Sequence, residues 1–324
     1  MYFVVLIWPG FSMHFAPDDM HNMYTYWEPG PWRVIQANVL FATPFYRPLA
    51  GFFYLPLFRF FGFNPLPYRV VIFALVCVNT WLLYALARRV TGSREAGGFA
   101  VLLGCFHPSA AAVFYSTAMI YEVLCFGFMC ATLLLYVRVR ASGRTLSWRE
   151  LVAVAVLFIC ALNSKEMAVV VPALLVAYEL IYRGWRRLSW RQVAPIFVTG
   201  VMAAAYLAAK LSPANSLVGF DAYRPVYTWN RFVETSNRYA GYLFWTQDLS
   251  TMETIGFWVL LLLLAAVLRR RSMLFGAVFA FVSRYYGPLA LFDIDSEAPQ
   301  HHFQCWALHG TFKVVNQGIV PSKR

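Results

Sequence analysis

Long apolar runs alternate with short polar breaks along almost the whole chain. About 20 apolar residues cross a bilayer as a helix, or a few fewer where flanking groups snorkel. On that scale the runs predict about nine spans: 1–15, 69–87, 97–113, 117–137, 151–163, 167–182, 193–210, 254–268 and 272–292. The breaks have a pattern of their own. Arg88, Arg89 and Arg94 follow the second run, and Arg138, Arg140, Arg144 and Arg149 follow the fourth. Arg183, Arg186, Arg187 and Arg191 follow the sixth, and Arg269 to Arg271 the eighth. Every basic cluster therefore falls on one side, the cytoplasmic side by the bias of Lys and Arg in inner loops. The pattern predicts an all-α polytopic membrane protein with its N-terminus in the cytoplasm.

That topology leaves segments 16–68, 107–116, 163–166 and 211–253 on the external face, and the residues able to do chemistry lie in them. Segment 16–68 is long and aromatic, with prolines at 17, 29, 31, 44 and 48. Prolines that fix φ, together with interfacial aromatics, predict a structured loop containing short interfacial helices rather than a free linker. The first run has no basic leader and no small-residue cleavage site, so it reads as a clipped first span and not as a signal peptide. The multispanning domain is expected over 1–292, followed by a polar tail, 293–324, with no span or repeat. His301, His302 and His309 in that tail fit a polar tail better than a metal site.

Composition agrees with the pattern. Of 324 residues, 60% are hydrophobic and 13% charged, against about 45–50% and 25% in soluble domains. The net charge of +12 does not point to nucleic acid, because the cations cluster between apolar runs, where they set topology and attract anionic lipid. Six scattered cysteines (77, 105, 125, 130, 160 and 305) form no CxxC, which argues against disulfide or metal roles. No phosphate-binding GxxxxGK and no inverted repeat is present, which argues against energy-coupled transport by this chain alone.

Four places carry candidate chemistry. Asp18 and Asp19 stand together after Pro17, where they fit either catalysis or a helix N-terminus in a solvated loop. Arg47 lies between Tyr46 and Pro48. Asn163-Ser164-Lys165-Glu166 forms the tip between two short runs, either a headgroup-level turn or a charged pair placed at depth for function. His107 precedes Pro108 and reads as a turn residue, and Glu122 opens the fourth run. Tyr24, Tyr26, Trp27 and Trp32 fit stacking on a sugar or prenyl chain, or an interfacial aromatic belt. Asn79 and Thr80 are expected to hydrogen-bond to a neighbouring helix.

The runs Phe45-Tyr46-Arg47-Pro48-Leu49, Phe61-Gly62-Phe63-Asn64-Pro65-Leu66-Pro67-Tyr68 and Leu82 to Arg89 resemble the FRPL…FGLNPxxYH…LLxxLARR pattern of protein O-mannosyltransferase-like proteins. These are bacterial relatives of the transmembrane and tetratricopeptide-repeat mannosyltransferases, within the GT-C glycosyltransferase fold. Asp18-Asp19 resembles that family's acidic pair in the first external loop, and His107-Pro108 before Phe114-Tyr115 its HP…AW turn. Asn163 to Glu166, with Pro172 and Tyr178-Glu179-Leu180, resembles its SKE hairpin. The resemblance covers roughly 15–190. Where the family often carries Gly-Arg-x-Asp, this chain has Ala118 to Glu122, so only Glu122 keeps an acid there, and no tetratricopeptide repeats follow.

The resemblance implies an inverting membrane glycosyltransferase. It would move a sugar from a polyprenyl-phosphate donor to a protein or glycan acceptor on the external face of a bacterial inner membrane. Such a transfer needs a carboxylate to take the acceptor's proton, the part expected of Asp18 or Asp19. It also needs cations for the leaving phosphate, the part expected of Arg47 and Lys165, with Arg224 and Arg231 in reserve. Glu166, His107 and Glu122 are expected as supporting groups. The resemblance fixes no cofactor, and Glu122 and Glu166 are also candidates for an optional divalent cation. A flippase for lipid-linked glycans and a non-catalytic degenerate relative are the competing readings. The first would want polar residues at mid-bilayer depth on several helices, whereas here they gather at one face.

Overall fold

The computed structural model describes residues 8–40, 45, 47–107, 111–184, 189–210, 228–244, 246 and 249–290. These form thirteen α-helices joined by 3₁₀ turns, with no strand among the described residues. The helices are α1 (Pro17–Trp27), α2 (Gly30–Val39), α3 (Gly51–Phe61), α4 (Pro65–Thr91), α5 (Arg94–Phe106), α6 (Ala111–Tyr115) and α7 (Ile120–Ala141). Then follow α8 (Trp148–Ser164), α9 (Val171–Tyr182), α10 (Trp190–Lys210), α11 (Trp229–Leu243), α12 (Thr251–Val267) and α13 (Arg271–Ala290).

The chain is an all-α polytopic membrane protein. Three helical stretches, Pro65–Thr91, Thr117–Ala141 and Trp190–Lys210, are long and apolar enough to cross a bilayer, and Thr251–Val267 is among the shorter apolar ones. Their outward faces keep Val78, Trp81, Leu260 and Leu263 exposed, as suits side chains solvated by lipid. Two expected spans differ from the sequence reading. Of segment 1–15, the described part forms a 3₁₀ turn at Trp8–Ser12, and residues 1–7 lie outside the described set. The run 97–113 is not one helix: α5 stops at Phe106 and His107 is extended, with ψ 131°. Its apolar pattern continues past the break, so hydropathy alone could not see it. The tail 293–324 and Arg224 lie outside the described residues.

Helix ends follow local chemistry. Asn64 accepts from Leu66 N–H at 3.1 Å and Pro65 opens α4, where a missing N–H costs nothing. Gly92 closes it at φ 75°, a left-handed cap that glycine takes without strain. At α8 the Ser147 hydroxyl and the Glu150 carboxylate cap each other's backbone N–H groups.

Two cores result. One lies among α7, α8 and α9 around Leu133, Phe158, Leu162, Leu174 and Leu175. The second is built by the 16–68 loop itself: Met23, Tyr26, Val34, Phe53 and Tyr54 pack with Tyr68 and Ile72 of α4 and with Ile120, Tyr121 and Val123 of α7. Loop and bundle therefore share one apolar interior, and the loop is a docked part of the structure. Close approach is needed at Gly51, where a Cβ would lie 2.5 Å from Val34 Cγ1. Asn79 donates to Val123 O at 2.7 Å across α4 and α7, as the sequence led one to expect. Thr80 bonds back to Val76 O at 2.8 Å and also shares a hydrogen bond with Cys105 Sγ of the neighbouring α5 at 3.7 Å.

Candidate functional site

Pro17 at the first helical position and two acids in the first turn start α1, because negative charge suits a helix N-terminus. The two acids then part. Successive helical side chains diverge by about 100°, so Asp19 joins the buried stripe with Met23 and Tyr26 while Asp18 stays exposed. Asp19 is fully buried and its oxygens are well used. Oδ2 accepts from Ala16 N–H at 2.8 Å and lies 3.8 Å from Arg69 Nη2. Oδ1 accepts from the Ser116 hydroxyl at 3.1 Å and from Ala118 N–H at 2.8 Å. It thus bolts α1 to the turn before α7 and to the start of α4.

A layer of tyrosines connects this bolt to the cations. Tyr54 donates to Thr117 O at 3.0 Å and stacks on Tyr26 with ring centroids 5.7 Å apart. Tyr26 donates to the Arg47 carbonyl at 2.9 Å, and its hydroxyl lies 3.1 Å from that of Tyr121. Burial and the neighbouring Tyr121 push the Tyr26 phenol well above its ordinary value, so it stays a neutral donor.

Arg47 immediately precedes the Pro48–Ala50 turn, with φ 44° and ψ 58°. A left-handed conformation at a non-glycine costs on the order of 1–3 kcal/mol and persists only where the surroundings enforce it. Its guanidinium donates to Glu166, Nη2 to Oε2 at 2.9 Å and Nε to both oxygens at 3.3 Å. It also lies 4.9 Å from the Tyr121 ring centroid, a cation–π distance. Burial alone would raise the Glu166 carboxyl, but the Arg47 charge and hydrogen bonds outweigh it and hold the group below its ordinary value.

Lys165 turns the other way, with φ −161°, and its ammonium pairs with Glu122 at the first turn of α7. Lys165 and Glu166 do not pair with each other; each reaches a different element. Their side chains point apart because the chain is extended at Lys165 and enters the 3₁₀ turn Glu166–Val170 directly after it. The Arg47–Glu166 pair is nearly closed to solvent, while Lys165–Glu122 is partly open, at 17% and 35% side-chain exposure. One oxygen of Glu122 is buried without a hydrogen-bond partner.

The opposite end of the bundle is just as ordered. Arg140 donates through Nε and Nη2 to the two oxygens of Glu179 at 2.7 and 2.8 Å, Tyr136 joins at 2.9 Å, and Arg183 reaches the Arg140 carbonyl. Glu122 and Arg140 are 18 residues apart on α7, roughly 27 Å along a helix, close to the thickness of the hydrocarbon core. The candidate site and the basic clusters therefore occupy opposite poles.

The profile of the dolichyl-phosphate-mannose-protein mannosyltransferase family matches residues 44–212, 169 of 324 positions and so more than half the chain. The chain belongs to this family. No curated protein and no solved structure gave a match. The protein is thus a membrane glycosyltransferase of the mannosyltransferase kind, and Arg47, His107, Glu122, Lys165 and Glu166 all fall within the matched segment, while Asp18 and Asp19 precede it.

Within this mannosyltransferase, the structure brings Arg47, Lys165, Glu166 and Glu122 together. Asp19 joins them through the tyrosine layer. Asp18 is exposed on the edge of α1 shared with Asn22 and Thr25. His107 stands half-buried at the end of α5, and Arg231 pairs with Glu234 on α11. Of the aromatics, Tyr24, Trp27 and Trp32 are exposed, while Tyr26 belongs to the core. Among the described residues no three His, Cys, Asp or Glu side chains converge as metal ligands. Glu122 and Glu166 each hold a cation already, so this arrangement does not fit a resident divalent ion. Sequence reasoning missed Tyr121, Arg69, Ser116 and Lys210. The one signal available was a lone cation at the end of an apolar run, at Arg69 and at Lys210, and such residues are ordinarily read as headgroup anchors.

Proposed function

We propose that the protein transfers a sugar from a polyprenyl-phosphate carrier to a hydroxyl of a protein or glycan acceptor on the external face of the bacterial inner membrane, inverting the anomeric carbon. The observation that carries this reading is the meeting of Arg47 and Lys165, from distant parts of a mannosyltransferase-family chain, at the pole opposite the basic clusters. Arg47 offers phosphate a bidentate fork and Lys165 a point charge. Glu166 keeps the fork oriented, and Glu122 holds the lysine until a phosphate oxygen takes its place. In the transfer the acceptor oxygen bonds to the anomeric carbon as the carbon–phosphate oxygen bond breaks. The electron pair leaves with the lipid phosphate, where fixed cations stabilise it. The acceptor's proton goes to a carboxylate, the role assigned to Asp18 because it is open to solvent; Asp19 positions the loop.

The test is a titration of purified protein with dolichyl-phosphate-mannose. Arg47→Ala and Lys165→Ala should each weaken donor binding about 10- to 150-fold, the scale of a lost charge-assisted bond. Arg47→Lys should recover only part of this, and Asp18→Asn should lower transfer without weakening binding. Unchanged affinity in both cation variants overturns the reading.

A further inference from the structure

We propose that Lys210 is a positioning residue for this site, tying the chain at Phe45 to the last turn of α10 and thereby fixing Arg47. What Arg47 then meets rests on the glycosyl-transfer reading above; the tie itself is geometric.

Lys210 is 2% exposed and ends an apolar span. A cation suits a helix C-terminus, but that preference amounts to a small fraction of what burying an ammonium costs. Its surroundings give the compensation. Nζ donates to the Phe45 carbonyl at 2.6 Å, lies 5.4 Å from the centroid of the buried Tyr206 ring, and is within electrostatic reach of Glu166 and Arg47. Two residues after Phe45 comes Arg47 in its left-handed conformation. The turn that follows adds a local backbone bond, from Ala50 N–H to the Arg47 carbonyl at 3.3 Å. The longer-range ties come from side chains: the carbonyls of Phe45, Arg47 and Pro48 accept from Lys210 on α10, Tyr26 on α1 and Asn38 on α2. Asn163 in turn donates to the Asn38 carbonyl at 2.9 Å. Side chains of three helices therefore set one strained residue, and Lys210 is the only one of the three that brings a charge. A displacement of about 1 Å at a group meeting the reacting phosphate is enough to cost on the order of 10²-fold in rate, so a tie at Phe45 bears directly on Arg47.

The experiment compares wild type, Lys210→Met, Lys210→Arg, Arg47→Ala and the Lys210→Met/Arg47→Ala double variant as full-length protein in nanodiscs. One readout is hydrogen exchange in peptides covering 45–51, and the other is transfer from dolichyl-phosphate-mannose. Lys210→Met should speed exchange in 45–51 by about tenfold or more, the scale of one charge-assisted bond, with α7 and α8 unchanged. Lys210→Arg, still a cationic donor, should retain most of the protection and most of the transfer. Lys210→Met should lower transfer about 10- to 100-fold alone yet add little to Arg47→Ala, because both act through one group. Wild-type exchange in 45–51 for Lys210→Met, or losses that multiply in the double variant, overturns the proposal. If Lys210→Met does not fold, Lys210→Gln replaces it: loss of the charge should still speed exchange there, and wild-type exchange overturns the tie. If wild type transfers no sugar, the glycosyl-transfer reading fails, while the exchange measurement still decides the role of Lys210.

Discussion

Asp18 and Asp19 are chemically identical neighbours that one helical step separates into different roles. Asp19 is buried against Ala16, Ser116, Ala118 and Arg69, so Asp19→Asn leaves Arg69 without its counter-ion and removes an acceptor from buried donors. Such a change costs about 3 kcal/mol or more, and its first expected sign is a lower thermal midpoint in detergent. Asp18→Asn should leave that midpoint unchanged and reduce transfer about 10²-fold, the scale of a lost general base. Measuring both quantities in both variants separates the roles, and equal midpoints would refute the division. Glu166 gives a prediction in pH. Its folded carboxyl titrates below its ordinary value, so the Arg47 pair contributes stability that is present at neutral pH. That contribution is lost as pH falls through the lowered folded value, below the usual glutamate value of about 4.3. Donor affinity should therefore be flat between pH 5 and 7 as far as this pair is concerned. Glu166→Gln should remove the pair's contribution at every pH, and an unchanged acid limb in that variant would dissociate Glu166 from it.

At the level of elements, α7 is the member that joins the two ends of the molecule, with Tyr121 and Glu122 at one end and Arg140 at the other. The Arg140–Glu179 fork is buried, at 2% and 0% side-chain exposure, whereas Arg144 in the Arg144–Glu150 pair is 56% exposed. Removing one partner of a buried pair costs about 3–5 kcal/mol, and an exposed pair contributes little. Glu179→Gln is therefore expected to lower the melting midpoint sharply while transfer per folded molecule stays near wild type; Glu150→Gln should change the midpoint far less. A midpoint ordering reversed between the two would show that burial does not set their weights. The same elements show what sequence could carry. The spans at α4, α7 and α10 were legible because twenty-odd apolar residues have few other uses. The loop helices were legible in kind, since prolines and aromatics imply order, but the stop of α5 inside an apolar run was not. Pairing was hidden as well. Lys165-Glu166 reads as one ion pair, yet the extended backbone at Lys165 sends the two charges to different helices. A lone lysine ending a span reads as an anchor until a carbonyl from a loop 165 positions earlier is found against it.

Across the whole molecule, charge is sorted by pole. Arg47, Lys165, Glu122, Glu166 and Lys210 meet at one end, and the arginines of the interhelical loops meet at the other, where Arg89 reaches the Arg138 carbonyl at 3.5 Å and Arg271 the Tyr182 carbonyl at 3.2 Å. In the orientation proposed above the second pole faces the cytoplasm, as the positive-inside bias predicts, and a lipid-linked donor would then meet Arg47 from the external leaflet. Four exposed positions report on this, the first of them the proposed base itself: Asp18 and Trp32 on the loop helices, Trp148 and Trp190 at the starts of α8 and α10. Single cysteines at these positions, in a background with the six native cysteines replaced, are treated in intact cells with a membrane-impermeant maleimide. Positions 18 and 32 should label at once, and positions 148 and 190 only after permeabilisation. Labelling of all four in intact cells would mean that the two poles do not lie across a bilayer. Labelling of 148 and 190 alone would turn the protein over, placing the site toward cytoplasmic donors and removing the external acceptor from the proposed reaction.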